Sequence, residues 1–131
     1  MTEQDRCLKV LLVEDSPYIA DRMRELLEMD TGICVALIVA DEAAAIAASR
    51  AAHYDVMVLD LELATGTGFG VMEALGDGKP KTIVLTNHAH PQYRRRALAL
   101  GALHFLDKSK EFARLPEILA ELRASSLLPS Q

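Results

Sequence analysis

The sequence lacks several features that would assign it to specialised classes of protein. It has no apolar run of the roughly 20 residues that span a bilayer, and MTEQDRCLKV is not an apolar signal segment. We therefore expect a cytoplasmic protein without membrane insertion. Its two cysteines, Cys7 and Cys34, match no metal or redox spacing and should be free thiols. Fourteen Lys and Arg against 19 Asp and Glu give a net charge of −5, which disfavours direct binding of nucleic acid.

The size and composition of the chain are those of one globular domain. Half of its 131 residues are apolar and 25% are charged. A chain of this length buries about two thirds of its unfolded surface without disulfides or metals. We expect a single domain over residues 1–131, with a core from about 8 to 124 and a flexible tail at 125–131.

Five short runs of mostly branched apolar residues predict strands that are buried on both faces. They are Leu8 to Val13, Cys34 to Ala40, Tyr54 to Asp60, Thr82 to Thr86 and Leu103 to Leu106. Helical patterns alternate with these runs, so the prediction is an α/β fold with helices on both faces of a parallel sheet. The flavodoxin-like, doubly wound strand order 2-1-3-4-5 fits best.

The helices are predicted from their caps and from apolar residues at helical spacing. Ser16 and Pro17 start the first helix and Gly32 ends its segment, and Asp41 caps an alanine-rich second helix. The third spans about Phe69 to Leu75, and the fourth runs from His90-Pro91 to about Leu100. Because proline cannot lie deep inside a helix, the last helix starts near Leu115 with Pro116 in its first turn, after a looser turn from Ser109 to Arg114.

Polar side chains follow four of the five predicted strands. They are Glu14 and Asp15 after the first, Asp60 after the third, Thr86 at the end of the fourth and Lys108 after the fifth. The carboxyl ends of parallel strands meet at one edge, where ligands bind in open α/β sheets. Three carboxylates at a hydrated site suit Mg²⁺, and a nearby ammonium and hydroxyl can contact an anion. These are the components for phosphoryl transfer to an aspartate.

The sequence resembles the receiver domain of two-component response regulators over nearly its whole length. The stretches that carry the resemblance are VLLVEDSP (10–17), VMVLDLEL (56–63), IVLTN (83–87) and GALHFLDKS (101–109). The resemblance implies a single-domain phosphoprotein in which Asp60 accepts a phosphoryl group from the phosphohistidine of a histidine kinase or phosphotransfer protein. It would signal by a phosphorylation-dependent surface change or by onward phosphorelay.

The same resemblance implies roles for the other residues of the cluster. Asp15, Asp60 and the backbone carbonyl of Glu62 would bind Mg²⁺ or Mn²⁺, with Glu14 acting through a metal-bound water. Lys108 would contact the phosphoryl group and Thr86 would bond to it in the active state. Phe105 occupies the position of an aromatic residue that moves with this threonine. The domain would catalyse its own phosphorylation and dephosphorylation, without being an enzyme for another substrate.

The sequence departs from the usual receiver pattern at four places. Phe105 lacks the common tyrosine hydroxyl, Asn87 is larger than the usual residue, and Ala64-Thr65 replaces a frequent proline. Ser109 stands where a proline usually follows the lysine, so we expect a trans Lys108–Ser109 peptide bond. No departure removes a reactive group, which favours an active receiver.

Three other functions are compatible with parts of the pattern. A receiver-like scaffold could bind partners without phosphorylation, although the intact acidic cluster, Thr86 and Lys108 count against it. A haloacid dehalogenase-type phosphatase also uses a strand-end aspartate with Mg²⁺, but in the first strand and followed by a second aspartate, where this chain has Glu62. In a flavodoxin, the acidic turn Glu14-Asp15 would repel the cofactor phosphate.

The predicted fourth helix carries a partner-surface candidate. Tyr93, Arg94, Arg95 and Arg96 form a cationic cluster in an otherwise acidic protein. Arginine is favoured at interfaces because its planar fork pairs with carboxylates. We expect the face of the fourth helix, fifth strand and last helix to bind a kinase, a downstream target or a second copy of the chain. His88 and His90 are expected in the solvated loop before this helix.

Overall fold

The strands form where the apolar runs predict them, with ends that differ by two residues at most. A computed structural model describes residues 7–126. Its strands are β1 (Leu8–Val13), β2 (Ile33–Val39), β3 (Val56–Leu59), β4 (Lys81–Thr86) and β5 (His104–Asp107). They pair in parallel in the order β2-β1-β3-β4-β5, which confirms the predicted topology.

Between residues 7 and 126, six helices surround this sheet. They are α1 (Pro17–Leu27), α2 (Glu42–Ala51), α3 (Gly68–Leu75), α4 (Pro91–Ala99), α5 (Lys108–Glu111) and α6 (Arg114–Ser126), with a 3₁₀ turn at Gly76–Gly78. Apolar side chains of α1 and α6 pack on one face, and those of α2, α3 and α4 pack on the other. Successive β3 residues point alternately into these two cores, which is why the strand is apolar at every position.

Side-chain caps begin the helices at the predicted places. The Ser16 hydroxyl accepts a hydrogen bond from the Ile19 amide at the start of α1, and Pro17 occupies its first turn. The Asp41 carboxylate accepts from the Ala44 amide at the start of α2. These oxygens satisfy amides that have no partner inside the helix, so each cap fixes where its helix starts.

Two helix predictions were wrong in detail. Helix α1 ends at Leu27 rather than near Gly32, and a turn in which the Gly32 amide donates to the Asp30 carboxylate leads into β2. The predicted loose turn after Lys108 begins instead with α5, because Asp107 caps it by accepting from the Ser109 amide at 2.9 Å. Pro116 lies in the first turn of α6, as expected. Residues 125 and 126 of the predicted tail belong to α6, and residues 127–131 lie outside the described chain.

The edge strand β2 is tied to α1 through its backbone. Its register shifts at Ala36, since Val10 pairs with Val35 but Leu11 pairs with Leu37. Next to this bulge, the Val35 amide donates to the Glu28 carboxylate at 2.9 Å, and the Val35 carbonyl accepts from the Arg24 guanidinium at 3.3 Å. One side chain of α1 and that of its C-cap residue Glu28 thus occupy backbone groups of the edge strand.

Candidate functional site

The ends of β1 and β3 bring three carboxylates together. Val13 pairs with Leu59, so Glu14 and Asp15 follow β1 beside the position where Asp60 follows β3. Oxygen atoms of the three carboxylates all lie within 4.8 Å of one another. Asp15 is exposed, while Glu14 and Asp60 are only 4% and 8% exposed. The topology therefore produces the acidic cluster that the sequence predicts.

Lys108 reaches this cluster from the end of β5. Its Nζ donates to Glu14 Oε1 at 2.6 Å and to Asp60 Oδ2 at 2.9 Å. Burial lowers the pKa of Lys108, but its bonds to Glu14 and Asp60 outweigh that effect and raise the pKa above its usual value. The ammonium group therefore stays charged at neutral pH. The Lys108–Ser109 peptide bond is trans, as expected.

The two buried carboxylates are also held by backbone amides. Glu14 Oε2 accepts from the Ser16 amide at 3.0 Å, and Asp60 Oδ1 accepts from the Glu62 amide at 3.2 Å. Burial raises the pKa of Glu14, and the hydrogen bonds from Lys108 and Ser16 only partly offset this. Lys108 therefore offsets only part of the free-energy cost of burying negative charge at this site.

This donor set fits a magnesium ion. Hard carboxylate oxygens from one exposed and two buried residues converge, and Mg²⁺ prefers such ligands together with water. When bound, the ion would neutralise charge on the carboxylates and on incoming phosphoryl oxygens. Asp15 and Asp60 would hold it, with Glu14 nearby. The role of the Glu62 carbonyl remains a prediction from the resemblance.

Thr86 and Phe105 are both buried near the carboxyl ends of their strands. Thr86 is fully buried, and its Oγ1 accepts a hydrogen bond from the His88 amide at 3.1 Å. The Phe105 side chain packs inside the core that α3 and α4 share. If phosphorylation repacks Phe105, the ring of this residue therefore starts from a buried position.

The side chain of Glu62 pairs with His88. Oε1 of Glu62 lies 2.9 Å from Nε2 of His88, so the loop after β3 contacts the loop after β4. The sequence placed His88 in a solvated loop and gave no sign of this contact. Its two partners are 26 positions apart, and only the packing of β3 against β4 brings their loops together.

The predicted cationic cluster on α4 does not form one surface. Arg94 donates to the Phe105 carbonyl on β5, whereas Arg96 pairs with Glu73 on α3 at 2.5 Å and lies over the Phe69 ring. Tyr93 also faces α3, with its ring centroid 5.9 Å from that of Phe69. Arg95 is exposed and makes no hydrogen bond or ion pair within residues 7–126.

The family model for the response regulator receiver domain matches residues 10–120. The chain belongs to the response regulator receiver family. The receiver is 32% identical over 114 residues to a protein-glutamate methylesterase/protein-glutamine glutaminase of Anaeromyxobacter dehalogenans, covering 86% of this chain and 33% of that protein. It spans about a third of the length of the curated relatives it matches.

Solved structures agree with the receiver fold. A two-component response regulator of the LuxR family from an Aurantimonas species superposes with a TM-score of 0.83 at 26% identity, covering 91% of this chain and 86% of the other. The response regulator domain of Thermotoga maritima CheB has a TM-score of 0.78 at 19% identity, covering 95% and 100%, and supports the fold alone. Between residues 7 and 126, the receiver has no helix with the length and hydropathy to cross a membrane.

Proposed function

We propose that this receiver accepts a phosphoryl group on Asp60 from the phosphohistidine of a histidine kinase or histidine phosphotransfer protein. The observation that carries the proposal is the double hydrogen bond from Lys108 to Asp60 and Glu14, inside a cluster that also contains Asp15. This arrangement holds a carboxylate nucleophile beside a fixed cation. It matches what an attack on phosphorus needs.

The chain's own residues would act in defined ways during transfer. An Asp60 carboxylate oxygen attacks phosphorus, the bond from phosphorus to the donor's imidazole nitrogen breaks, and that nitrogen keeps the electron pair. The Lys108 ammonium would offset charge on the phosphoryl oxygens, and the Thr86 hydroxyl would donate to one of them. Glu14, which is itself held by the Ser16 amide, gives Lys108 a second hydrogen-bond partner beside Asp60.

The direct test is labelling with a small phosphodonor. Incubation with acetyl phosphate and Mg²⁺ should add one acid-labile phosphoryl group to the wild type and none to Asp60→Asn, as measured by intact mass. Asp77→Asn, at an exposed aspartate in the turn after α3, is the matched control and should be labelled like the wild type. Full labelling of Asp60→Asn would show that another residue is the acceptor.

The partners to which the receiver passes its signal are also a proposal. The face formed by α4, β5 and α6 is proposed to bind a kinase, a downstream target or a second copy of the chain. The exposed Arg95 and the absence of any acidic residue from α4 support an acidic partner.

The methylesterase and glutaminase activities belong to much longer relatives. Cytoplasmic location and single-domain organisation also stay predictions, which fractionation of the source cells and the intact mass of the native protein would test.

A further inference from the structure

Two loops at the site are joined by one contact between side chains. Glu62 lies two residues after Asp60, and His88 lies two residues after Thr86. The 2.9 Å contact between Glu62 Oε1 and His88 Nε2 therefore links the acceptor's loop to the loop of Thr86. An Nε2–H group is a hydrogen-bond donor in one tautomer of neutral imidazole and in the cation, so the contact does not require a charged ring.

Each of these two residues is also bonded to the functional side chain before it. The Glu62 amide donates to Asp60 Oδ1 at 3.2 Å, and the His88 amide donates to Thr86 Oγ1 at 3.1 Å. The four residues thus form a chain of three contacts, from Asp60 to Glu62, to His88, to Thr86. Movement of the Thr86 hydroxyl toward a phosphoryl group on Asp60 would either lengthen its bond to the His88 amide or displace His88 from Glu62.

Two neighbouring rings connect His88 to α4. The His88 and His90 ring centroids are 6.3 Å apart, and His90 meets Tyr93 of α4 edge-on at 5.4 Å. Displacing His88 would therefore also disturb contacts that lead to α4. Because the Phe105 ring is already buried, the Thr86 loop is the part of the switch that has room to change.

We propose that the side chains of Glu62 and His88 are positioning residues that hold the Thr86 loop in its resting place and oppose its movement toward phosphorylated Asp60. The inference rests on the proposed function, since it concerns regulation of the same site. Both side chains are substantially exposed, at 68% for Glu62 and 46% for His88. Exposed pairs of this kind are weak, so the expected change in affinity for a phosphoryl group is about two- to fivefold.

Beryllofluoride, an analogue of the phosphoryl group, tests this at equilibrium with the full chain and saturating Mg²⁺. Glu62→Ala and His88→Ala should each bind it about two- to fivefold more tightly than wild type, because the resting contact no longer opposes the bound state. The free variants should show the Thr86 methyl resonance shifted toward its position in the bound wild type. A general loss of stability would not produce this shift.

Three further variants separate the proposal from its alternatives. The double variant Glu62→Ala/His88→Ala should match either single variant, because all three remove the same contact. His88→Gln keeps an N–H donor and should restore an affinity close to wild type. His53→Ala breaks the exposed contact from His53 to Asp55 (3.2 Å) near the start of β3, and should leave binding unchanged.

The possible failures are distinguishable. If wild type and Asp60→Asn bind beryllofluoride equally, the proposed function is wrong. If binding requires Asp60 but Glu62→Ala and His88→Ala bind like wild type, bind more weakly, or have additive effects, the positioning role is overturned and the proposed function stands.

Discussion

Glu14 is a buried carboxylate whose charge is only partly compensated by its surroundings. Burial raises its pKa above the usual range despite the hydrogen bonds from Lys108 and Ser16. A carboxyl group with a raised pKa in the folded state contributes stability at pH values below its unfolded pKa. That contribution is lost as the pH rises through the folded pKa. Ionised Glu14 therefore lowers the stability of the fold at neutral pH.

Replacing this charge should stabilise the receiver while weakening its chemistry. Glu14→Gln keeps the size of the side chain and should raise Tm at pH 7 by roughly 2–4 °C, corresponding to about 1 kcal/mol. The gain should shrink below about pH 4, where both proteins carry a neutral group. Calorimetry at the two pH values measures it, with Glu25→Gln on the exposed side of α1 as control. A lower Tm at pH 7 would mean that the bond to Lys108 outweighs burial.

At the scale of single elements, α4 shows why neighbours in sequence need not share a surface. Each helical residue turns by about 100°, so three consecutive arginines point in three directions. Arg94 faces β5, Arg96 faces α3 and Arg95 faces solvent. A cluster of charge in the sequence thus becomes two arginines with structural contacts and one that makes no hydrogen bond or ion pair within residues 7–126.

These positions should respond differently to charge reversal. Arg96→Glu removes the pair with Glu73 and the contact with the Phe69 ring, and should lower the free energy of unfolding by about 1 kcal/mol. Arg95→Glu should change it by less than about 0.5 kcal/mol. Urea unfolding measures both. Recovery in Glu73→Arg/Arg96→Glu would confirm the pair, whereas equal losses for Arg95→Glu and Arg96→Glu would contradict the assignment.

Arg95→Glu also tests the proposed partner face. Because it should leave the fold and the phosphorylation of Asp60 by acetyl phosphate unchanged, any loss in phosphotransfer from a cognate kinase reports on recognition. Leu98→Glu is a useful comparison, since Leu98 is exposed and lies one turn beyond Arg94 on the flank of α4 toward β5. If neither variant affects binding to kinase or target, the interface lies elsewhere, with α1 as the next candidate.

The sequence predicted elements best where one local cause decided the outcome. Buried apolar runs located the strands, and Ser16, Asp41 and Pro116 fixed helix starts through caps and ring geometry. It failed after Lys108, where Asp107 caps a short helix in place of the predicted looser turn. It also extended α1 toward Gly32, although the helix ends at Leu27 with Glu28 as its C-cap.

For the whole molecule, the predicted strand order was enough to predict which residues form the site. Once β1 and β3 are neighbours, Glu14, Asp15 and Asp60 must meet, and Lys108 follows from β5. Contacts between side chains on different loops were not accessible in this way. The pair of Glu62 with His88 and the bonds of Arg24 and Glu28 to Val35 depend on distances set by packing, which composition and periodicity do not encode.

The hydrogen bonds to Val35 from Arg24 and Glu28 should chiefly limit self-association of the protein. In Arg24→Ala/Glu28→Ala, the Val35 amide and carbonyl lose their partners on a strand that is apolar throughout. We expect slow self-association at high concentration, which light scattering would detect over days. Arg22→Ala/Glu25→Ala makes the same change in charge on α1 and should stay monodisperse. Equal scattering by the two variants would rule out the edge as the cause.

An apolar strand with free backbone groups is a template on which another chain can add as a further strand, the growth step of fibrils. Arg24 and Glu28 occupy those groups from within the same molecule. The time for which a concentrated solution stays free of aggregates would then depend on Arg24 and Glu28. So would the yield on overexpression, although neither side chain takes part in phosphorylation.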